Sequence, residues 1–429
     1  MTTFKDTNIK WIWKIPEDWT VVPLKHYFSF EKWKDAQIFT GEYCSKNQWI
    51  YPVYSGQTKD NWIMAKIDSY IYESKDRLFV TTVWAKAMTI SIISWKYSLS
   101  QNCALIKETN NHTNVKFYSY LLKILFSYEK GLLADLMQPS LRFEDLVEYK
   151  IILPPLSTQT TIANFLDNKT DKISTFIKNK KETIKLLQEQ KQAIIHKAVT
   201  TGLEEWVKMK DTWNKWIWTV PKQWKVIKLK YLINTLTDFT SNGSFASLAK
   251  NVKYFETWYS RLIRLTDIRV DFKNLWVYVT EKAHKFLKNS ELFWGEILIA
   301  NVWAYTWFVC IMPKVDFIST LWPNMLLLRF NNNVVLDKYI YYFLLSDLWS
   351  KQLILESESS AQPKLNKHDL KNITVFLPKL NEQKWIVEYI EKETNLIDTA
   401  ISKIESEIQL IEEYKNSLIY NAVTGKINI

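Results

Sequence analysis

Apolar residues recur at alternating four- and three-residue steps through two stretches of the chain. In the later stretch they are Ile397, Ile401, Ile404, Ile408, Ile411, Leu418 and Ala422, with Lys415 filling one step. In the earlier one they are Ile173, Ile177, Ile184, Leu187, Ile194 and Ala198, with Lys180 and Lys191 on the same stripe. A sustained period of 3.5 residues is the seam of a coiled coil. One such helix would be expected to lie on its own domain, but two matched seams predict helices that pair with each other. Each leads away from its own globular part, so the pair is expected to be antiparallel with the globular parts at opposite ends. A seam of about 26 residues is roughly 39 Å long at 1.5 Å per residue. Pro154 and Pro155 precede the first helix and Pro378 the second, as start punctuation.

Ahead of each helix the pattern changes to short alternating runs rich in Val, Ile, Tyr, Thr and Phe. "SYIYE", "RLFVTTV", "AMTISIIS" and "EILIANV" read as strands broken by polar turns. The two halves also share words. "KWIWKIPEDWTVVPLK" (10–25) and "KWIWTVPKQWKVIKLK" (215–230) agree at nine of sixteen positions, 205 residues apart, where chance gives about one. "LPPLSTQTTI" (153–162) pairs with "LPKLNEQKWI" (377–386), "QPSLRFEDL" (138–146) with "QPKLNKHDL" (362–370), and "KAVTTG" (197–202) with "NAVTGK" (421–426), all at an offset of 224. "TVWAKA" (82–87) echoes "NVWAYT" (301–306), and "LSQNCALI" (99–106) echoes "LWPNMLLL" (321–328). The chain is therefore a duplication of one long unit, with about nineteen extra residues inside the second copy, and not a short-period solenoid. The expected fold is α+β. Two repeated mixed α/β domains (1–150 and 206–374) alternate with two long helices (151–205 and 375–429) that form an antiparallel coiled coil.

Composition narrows the class. At 429 residues there is room for more than one core. The formal net charge of +11 favours a polyanionic partner or an acidic membrane face. The polar start "MTTFKDTNIK" lacks a signal-peptide core, and the longest apolar runs, such as "VWAYTWFVCIM" (302–312), are too short to span a bilayer. No membrane association is expected, and the reading is cytoplasmic. Cys44, Cys103 and Cys310 show no metal spacing and are expected as buried thiols in a reducing compartment. The chain has 21 Trp against only 7 Gly, where glycine usually makes up about 7%. Trp33, Trp62, Trp294 and Trp322 stand in turn-like contexts that suit glycine. We read them as glycine codons (UGA) translated as tryptophan. Trp11, Trp19, Trp216 and Trp224 sit in amphipathic contexts where an indole packs naturally.

The whole order of leads ("IPEDW", "VPKQW"), variable regions, "LPPL…Q" and "LPKLNEQ" junctions and heptad helices ending in "KAVTTG" and "NAVTGKI" resembles the DNA specificity subunits of type I restriction–modification systems. The resemblance implies two target-recognition domains, each reading half of a bipartite, asymmetric site in double-stranded DNA. It implies helices that serve as spacer and dock two modification subunits, which carry S-adenosylmethionine and methylate adenine N6. Restriction subunits with ATP-driven activity would join them. On this reading the chain itself holds no cofactor and no metal and catalyses nothing. A spacer near 39 Å would match roughly one turn of duplex, 34–36 Å.

The residues agree with a non-catalytic chain. Adenine methyltransferases need a polar residue before Pro-Pro-aromatic to hold the flipped base, but Pro154-Pro155 follows leucine. No phosphate-cradling GxxxxGK[ST] occurs, and His26, His112, His196, His284 and His368 are scattered without ligand spacing. Base reading needs amide, hydroxyl or guanidinium groups on turns. Loops that recur in both copies with different side chains supply candidates: Lys86 and Tyr305 in one pair, and Gln138, Ser140 and Arg142 against Ser360, Gln362 and Lys364 in the other. "YSGQTKDN" adds Ser55, Gln57 and Lys59. An orphan coiled-coil interaction protein that has lost DNA reading is the alternative, and a self-sufficient methyltransferase a third class.

Overall fold

The computed structural model describes residues 3–56, 61–83, 87–133, 141, 143–214, 217–269, 276–301, 308–346, 348–354, 365–427 and 429. They form two compact units, Met1–Lys181 with Glu405–Ile429, and Glu182–Ile404. These units cut across the expected four segments, because each of them takes part of both long helices.

The first unit opens with an antiparallel hairpin, Phe4–Ile9 against Ile12–Pro16, in the register Phe4↔Pro16 to Ile9↔Ile12. Strand Thr20–Pro23 then pairs antiparallel with Lys150–Leu153, so the chain enters and leaves the head through one two-stranded ladder. Between those strands lies a sheet in the order Phe28–Glu31, Cys103–Glu108, Tyr72–Thr81, Ile90–Leu99, Gln48–Tyr54, Ile63–Ile67. Its central strands are the β-branched and aromatic runs identified from their alternation. Helix Val115–Leu133 covers the sheet, with Phe117, Tyr118, Leu121, Leu122, Leu125 and Phe126 fully buried. Their spacing keeps one face of a 3.6-residue helix apolar.

The second unit repeats the frame. Hairpin Met209–Asn214 with Ile217–Pro221 has the same register, Met209↔Pro221 to Asn214↔Ile217. Lys225–Lys228 pairs with Thr374–Leu377 as the entry and exit ladder. Strands Ile233–Asp238, Met325–Phe330, Ile297–Ala300 and Val309–Ile311 repeat the first four strands of the first sheet, in the same order. A further sheet, Tyr278–Val279, Ser260–Ile263, Ser319–Leu321 and Glu291–Leu292, belongs to the second unit.

The long helices are Leu156–Thr201 and Leu380–Val423, neither containing Gly or Pro. Every expected seam residue is buried or half-buried: Ile173, Ile177, Ile184, Leu187, Ile194 and Ala198 on one helix, Ile397, Ile401, Ile404, Ile408, Ile411, Leu418 and Ala422 on the other. In the first unit Lys180 Nζ lies 2.8 Å from Glu407 and Lys415 Nζ donates to Ser174 Oγ at 3.1 Å. In the second, Lys191 Nζ meets both carboxylate oxygens of Asp398 at 2.7 Å. Numbers rise on one helix as they fall on the other, so the helices form an antiparallel coiled coil. Seam lysines spend their methylenes on the apolar stripe and their ammonium on the facing helix.

Both helices enter the head cores. Ile162, Ala163 and Leu166 share a cluster with Trp11, Trp19, Phe28 and Phe117, and so do Leu418, Ile419, Ala422 and Val423 from the end of the other helix. In the second unit Ile386, Val387 and Ile390 join Val220, Trp224, Tyr339 and Phe343, and Ile195, Ala198 and Val199 complete that cluster. Each head is thus closed by the start of its own helix and the tail of the other. Gly202 and Gly425 end the helices with φ of +74° and +72°. A Cβ on Gly425 would stand 2.6 Å from Pro16 and 2.9 Å from Trp19, so only glycine lets that helix end reach the lead hairpin.

The "LP…Q" junction is a buried clamp. Gln159 is fully buried; its Nε2 donates to Pro154 O (2.8 Å) and His112 O (3.0 Å), and its Oε1 accepts from Asn114 N (2.8 Å). Gln383 does the same with Pro378 O (2.9 Å), Val334 O (3.2 Å) and Leu336 N (2.8 Å). Ion pairs add to each joint: Lys116–Asp167 at 2.7 Å, and Lys338–Glu391 at 2.5 Å.

Cys44, Cys103 and Cys310 are free and buried, and burial pushes the Cys103 and Cys310 thiols up to about 12. Trp11, Trp19 and Trp224 are buried in the lead-hairpin cores; Trp216 lies outside the described residues. Of the turn-like tryptophans, Trp33 packs on Phe39 and Trp322 on Tyr254, whereas Trp294 is 73% exposed. Trp62 has φ +67° and Trp95 φ +78°, a region that costs an L-residue about 1–2 kcal/mol and glycine nothing.

Two outcomes follow. Replacing Gln383 with leucine strands one N–H and two carbonyls and is expected to cost about 3 kcal/mol in urea denaturation. Trp62→Gly and Trp95→Gly are each expected to raise stability or leave it unchanged, and the intact mass of natively produced chain to show glycine at such positions; the mass of the sequence as written would refute the codon reading.

Candidate nucleic-acid interface

The candidate reading loops spring from matching places in the two heads. In the first, Tyr72–Thr81 and Ile90–Leu99 form a hairpin whose ladder ends at Val80↔Ile90. Thr81 N donates to Thr89 O (3.0 Å) and Met88 N to Thr81 O (2.8 Å), which closes the loop mouth. In the second, Ile297–Ala300 and Val309–Ile311 end at Ile299↔Val309, and Ala300 N donates to Phe308 O (2.9 Å).

Just beyond each mouth three segments meet. Thr82 N donates to Asn102 O (2.8 Å), and Thr82 O accepts from Leu141 N (2.8 Å). Asn301 N donates to Asn324 O (3.1 Å), and Asn301 O accepts from Leu365 N (3.1 Å). The repeated words place the same pairs opposite one another: Thr82 with Asn301, Asn102 with Asn324, Leu141 with Leu365. Two backbone bonds therefore tie the hairpin to the turn before Cys103–Glu108 or Met325–Phe330, and to the chain returning to the exit strand.

Of the candidate reading residues, Ser55 is described. It is 3% exposed, and its N–H donates to Trp62 O at 2.8 Å. Gln57, Lys59, Lys86, Gln138, Ser140, Arg142, Tyr305, Ser360, Gln362 and Lys364 lie outside the described residues. What the structure brings together is the frame: the mouth that leads to Lys86 sits beside Leu141, just after Gln138 and Ser140, and the mouth that leads to Tyr305 sits beside Leu365, just after Lys364. Sequence reasoning passed over Thr82, Asn301, Asn102 and Asn324. The paired words already aligned them, but their types carry no signal by themselves.

In the second head a cavity of about 660 Å³ opens beside this junction, lined by Asn301, Asn324, Tyr254, Leu365, Asp238 and Lys367 among others. Lys367 Nζ lies 2.9 Å from Asp238 Oδ1 and donates to Ser241 Oγ at 2.8 Å. Burial pushes the Asp238 carboxyl up, but hydrogen bonds from Lys367, Thr240 and Ser241 outweigh it and hold it below the usual carboxylate range. Among the described residues no cluster of His, Cys, Asp and Glu is arranged to hold a metal ion, and no helix is long and apolar enough to cross a membrane.

Comparison with known proteins settles the class. The model of the type I restriction modification DNA specificity domain matches residues 16–186 and again 221–410. The chain belongs to that family. Both matches run from a lead hairpin into a long helix, so the family unit is the repeat itself. The type I restriction enzyme MjaVIII specificity subunit of Methanocaldococcus jannaschii is 24% identical over 444 residues, covering 100% of this chain and 98% of its own. The EcoBI specificity subunit of Escherichia coli is 21% identical over 386 residues, covering 87% and 76%. A solved chain from work on complex assembly and conformational transition of the type I R-M system superposes with a TM-score of 0.70 at 13% identity, over 97% of this chain and all of that one. The protein is a type I restriction–modification specificity subunit and is non-catalytic.

The depressed Asp238 carboxyl adds stability that is complete above its unfolded value, about 3.9, and is lost as pH falls through the lower folded value. Asp238→Asn is therefore expected to destabilise the protein at neutral pH, and the gap from wild type to close as pH drops below about 4. Denaturation midpoints measured across that range check the sign.

Proposed function

We propose that the two heads read the two halves of a bipartite, asymmetric site in double-stranded DNA. The long helices dock two modification subunits that methylate adenine N6 with S-adenosylmethionine. Restriction subunits using ATP complete the complex in the cytoplasm, and this chain itself binds neither cofactor. One observation carries the reading: a single backbone junction is built twice, with Asn and Leu at two matched points of both heads, while the sequence of the candidate loops that it frames differs, Lys86 in one and Tyr305 in the other. Two readers on one scaffold need that arrangement. The net charge of +11 supplies sequence-independent attraction to phosphates. The candidate base contacts remain Ser55, Gln57, Lys59, Lys86, Gln138, Ser140 and Arg142 for one half-site, and Tyr305, Ser360, Gln362 and Lys364 for the other.

Single-molecule methylome sequencing of the source organism is expected to show an adenine-methylated motif of two short specified tracts separated by an unspecified gap. Footprinting of the complex with its modification subunits should show the same two tracts, weakening steeply with salt. One continuous specified tract would refute the bipartite reading. Base-specific binding would exclude the orphan interaction protein.

A further inference from the structure

The two junctions share a second feature that their backbone bonds do not explain. Thr82 Oγ1 and Asn301 Oδ1 are both closed off from solvent and have no hydrogen-bond partner among the described residues. Thr82 is 4% exposed as a whole. Its main chain is saturated by Asn102 and Leu141, as that of Asn301 is by Asn324 and Leu365. That leaves the hydroxyl at Thr82, whereas Asn301 is half-buried as a whole and its amide oxygen is the enclosed atom. Burying a hydroxyl or amide oxygen without a donor is costly. Here that cost falls at the same aligned position of the two heads. The residue type differs, a hydroxyl in one head and a carboxamide in the other. Other enclosed polar atoms share this state, Ser260 Oγ and His284 Nδ1 among them, but Thr82 and Asn301 stand at matched points of the two frames.

We propose that Thr82 and Asn301 are positioning residues for the first and second half-sites respectively, each holding an oxygen whose hydrogen bond forms only when its head engages the duplex. This rests on the DNA-reading function above. Both oxygens are recessed, so they act on the frame of the loop mouths and do not touch bases. A bond absent from the free state and present in the bound state adds its full worth to binding, and to discrimination if only the matching half-site draws the head into the bound geometry.

The test uses the full chain in complex with its modification subunits, and duplexes carrying the methylated motif or a version with one half-site scrambled. Thr82→Val removes the hydroxyl at nearly constant volume. It is expected to leave the melting temperature of the free complex unchanged or raised. Affinity for the intact motif should fall about tenfold, the worth of one hydrogen bond, with no effect on a duplex whose first half-site is scrambled. Thr82→Ser should restore wild-type binding. Asn301→Leu should mirror this at the second half-site only. A lowered melting temperature with unchanged discrimination would mean that the oxygen is already bonded in the free protein, and would overturn the proposal. Equal losses at both half-sites would overturn it too. Wild-type complex with no sequence preference would sink the DNA-reading function and this proposal together, whereas a selective wild type with equally selective variants sinks this one alone.

Discussion

Neither head of this protein can bury its apolar surface alone. The clusters around Trp19 and Trp224 stay open until the start of the following helix and the tail of the other helix lie against them. That requirement governs the architecture. It explains why the helices run for 46 and 44 residues without a breaker, since each must serve one core at its start and another at its end. It also explains why the apolar stripe broadens at the ends, where Ile195 and Val199 or Ile419 and Val423 join the seam residues in burial. Between the cores, a narrow 3.5-residue seam is enough.

The clamps at the head–helix joints follow from the same demand. A helix that closes a core has to leave the exit strand at a fixed angle, and Gln159 and Gln383 fix it by tying the proline carbonyl before the helix to backbone from the head. A carboxamide suits the task because it donates twice and accepts at once. The shared words "LPPLSTQTTI" and "LPKLNEQKWI" are thus the residues of the joint.

Much of this was legible beforehand, for identifiable reasons. The helix pair showed because a 3.5-residue period is sustained in two matched stretches, where a single one would have been read as a helix lying on its own domain. The strands showed where β-branched residues alternate, as in Ile90–Leu99. Helix Val115–Leu133 did not show, although Leu121, Leu122 and Leu125 follow a helical period. Its tyrosines and phenylalanines favour strands, and the surrounding β-rich stretch drew it into the same reading. The division at the helix ends was also out of reach, because periodicity says which face of a helix is buried but not which core buries it. At the candidate interface the aligned loops were visible and the junction beneath them was not. Thr82 and Asn301 are unremarkable letters, and their meaning comes from two backbone hydrogen bonds and an oxygen left without a donor.

The entry and exit strands of each head lie side by side, Thr20–Pro23 with Lys150–Leu153 and Lys225–Lys228 with Thr374–Leu377. A chain that departs where it arrived makes everything in between a removable cartridge. The second copy already holds about nineteen more residues than the first, yet its ladder, clamp and helix keep their form. Variation can therefore accumulate inside a cartridge, or a whole cartridge be traded for another, while the bar that carries it stays the same. Such a protein could acquire a new specificity by a single exchange, without having to refold its frame.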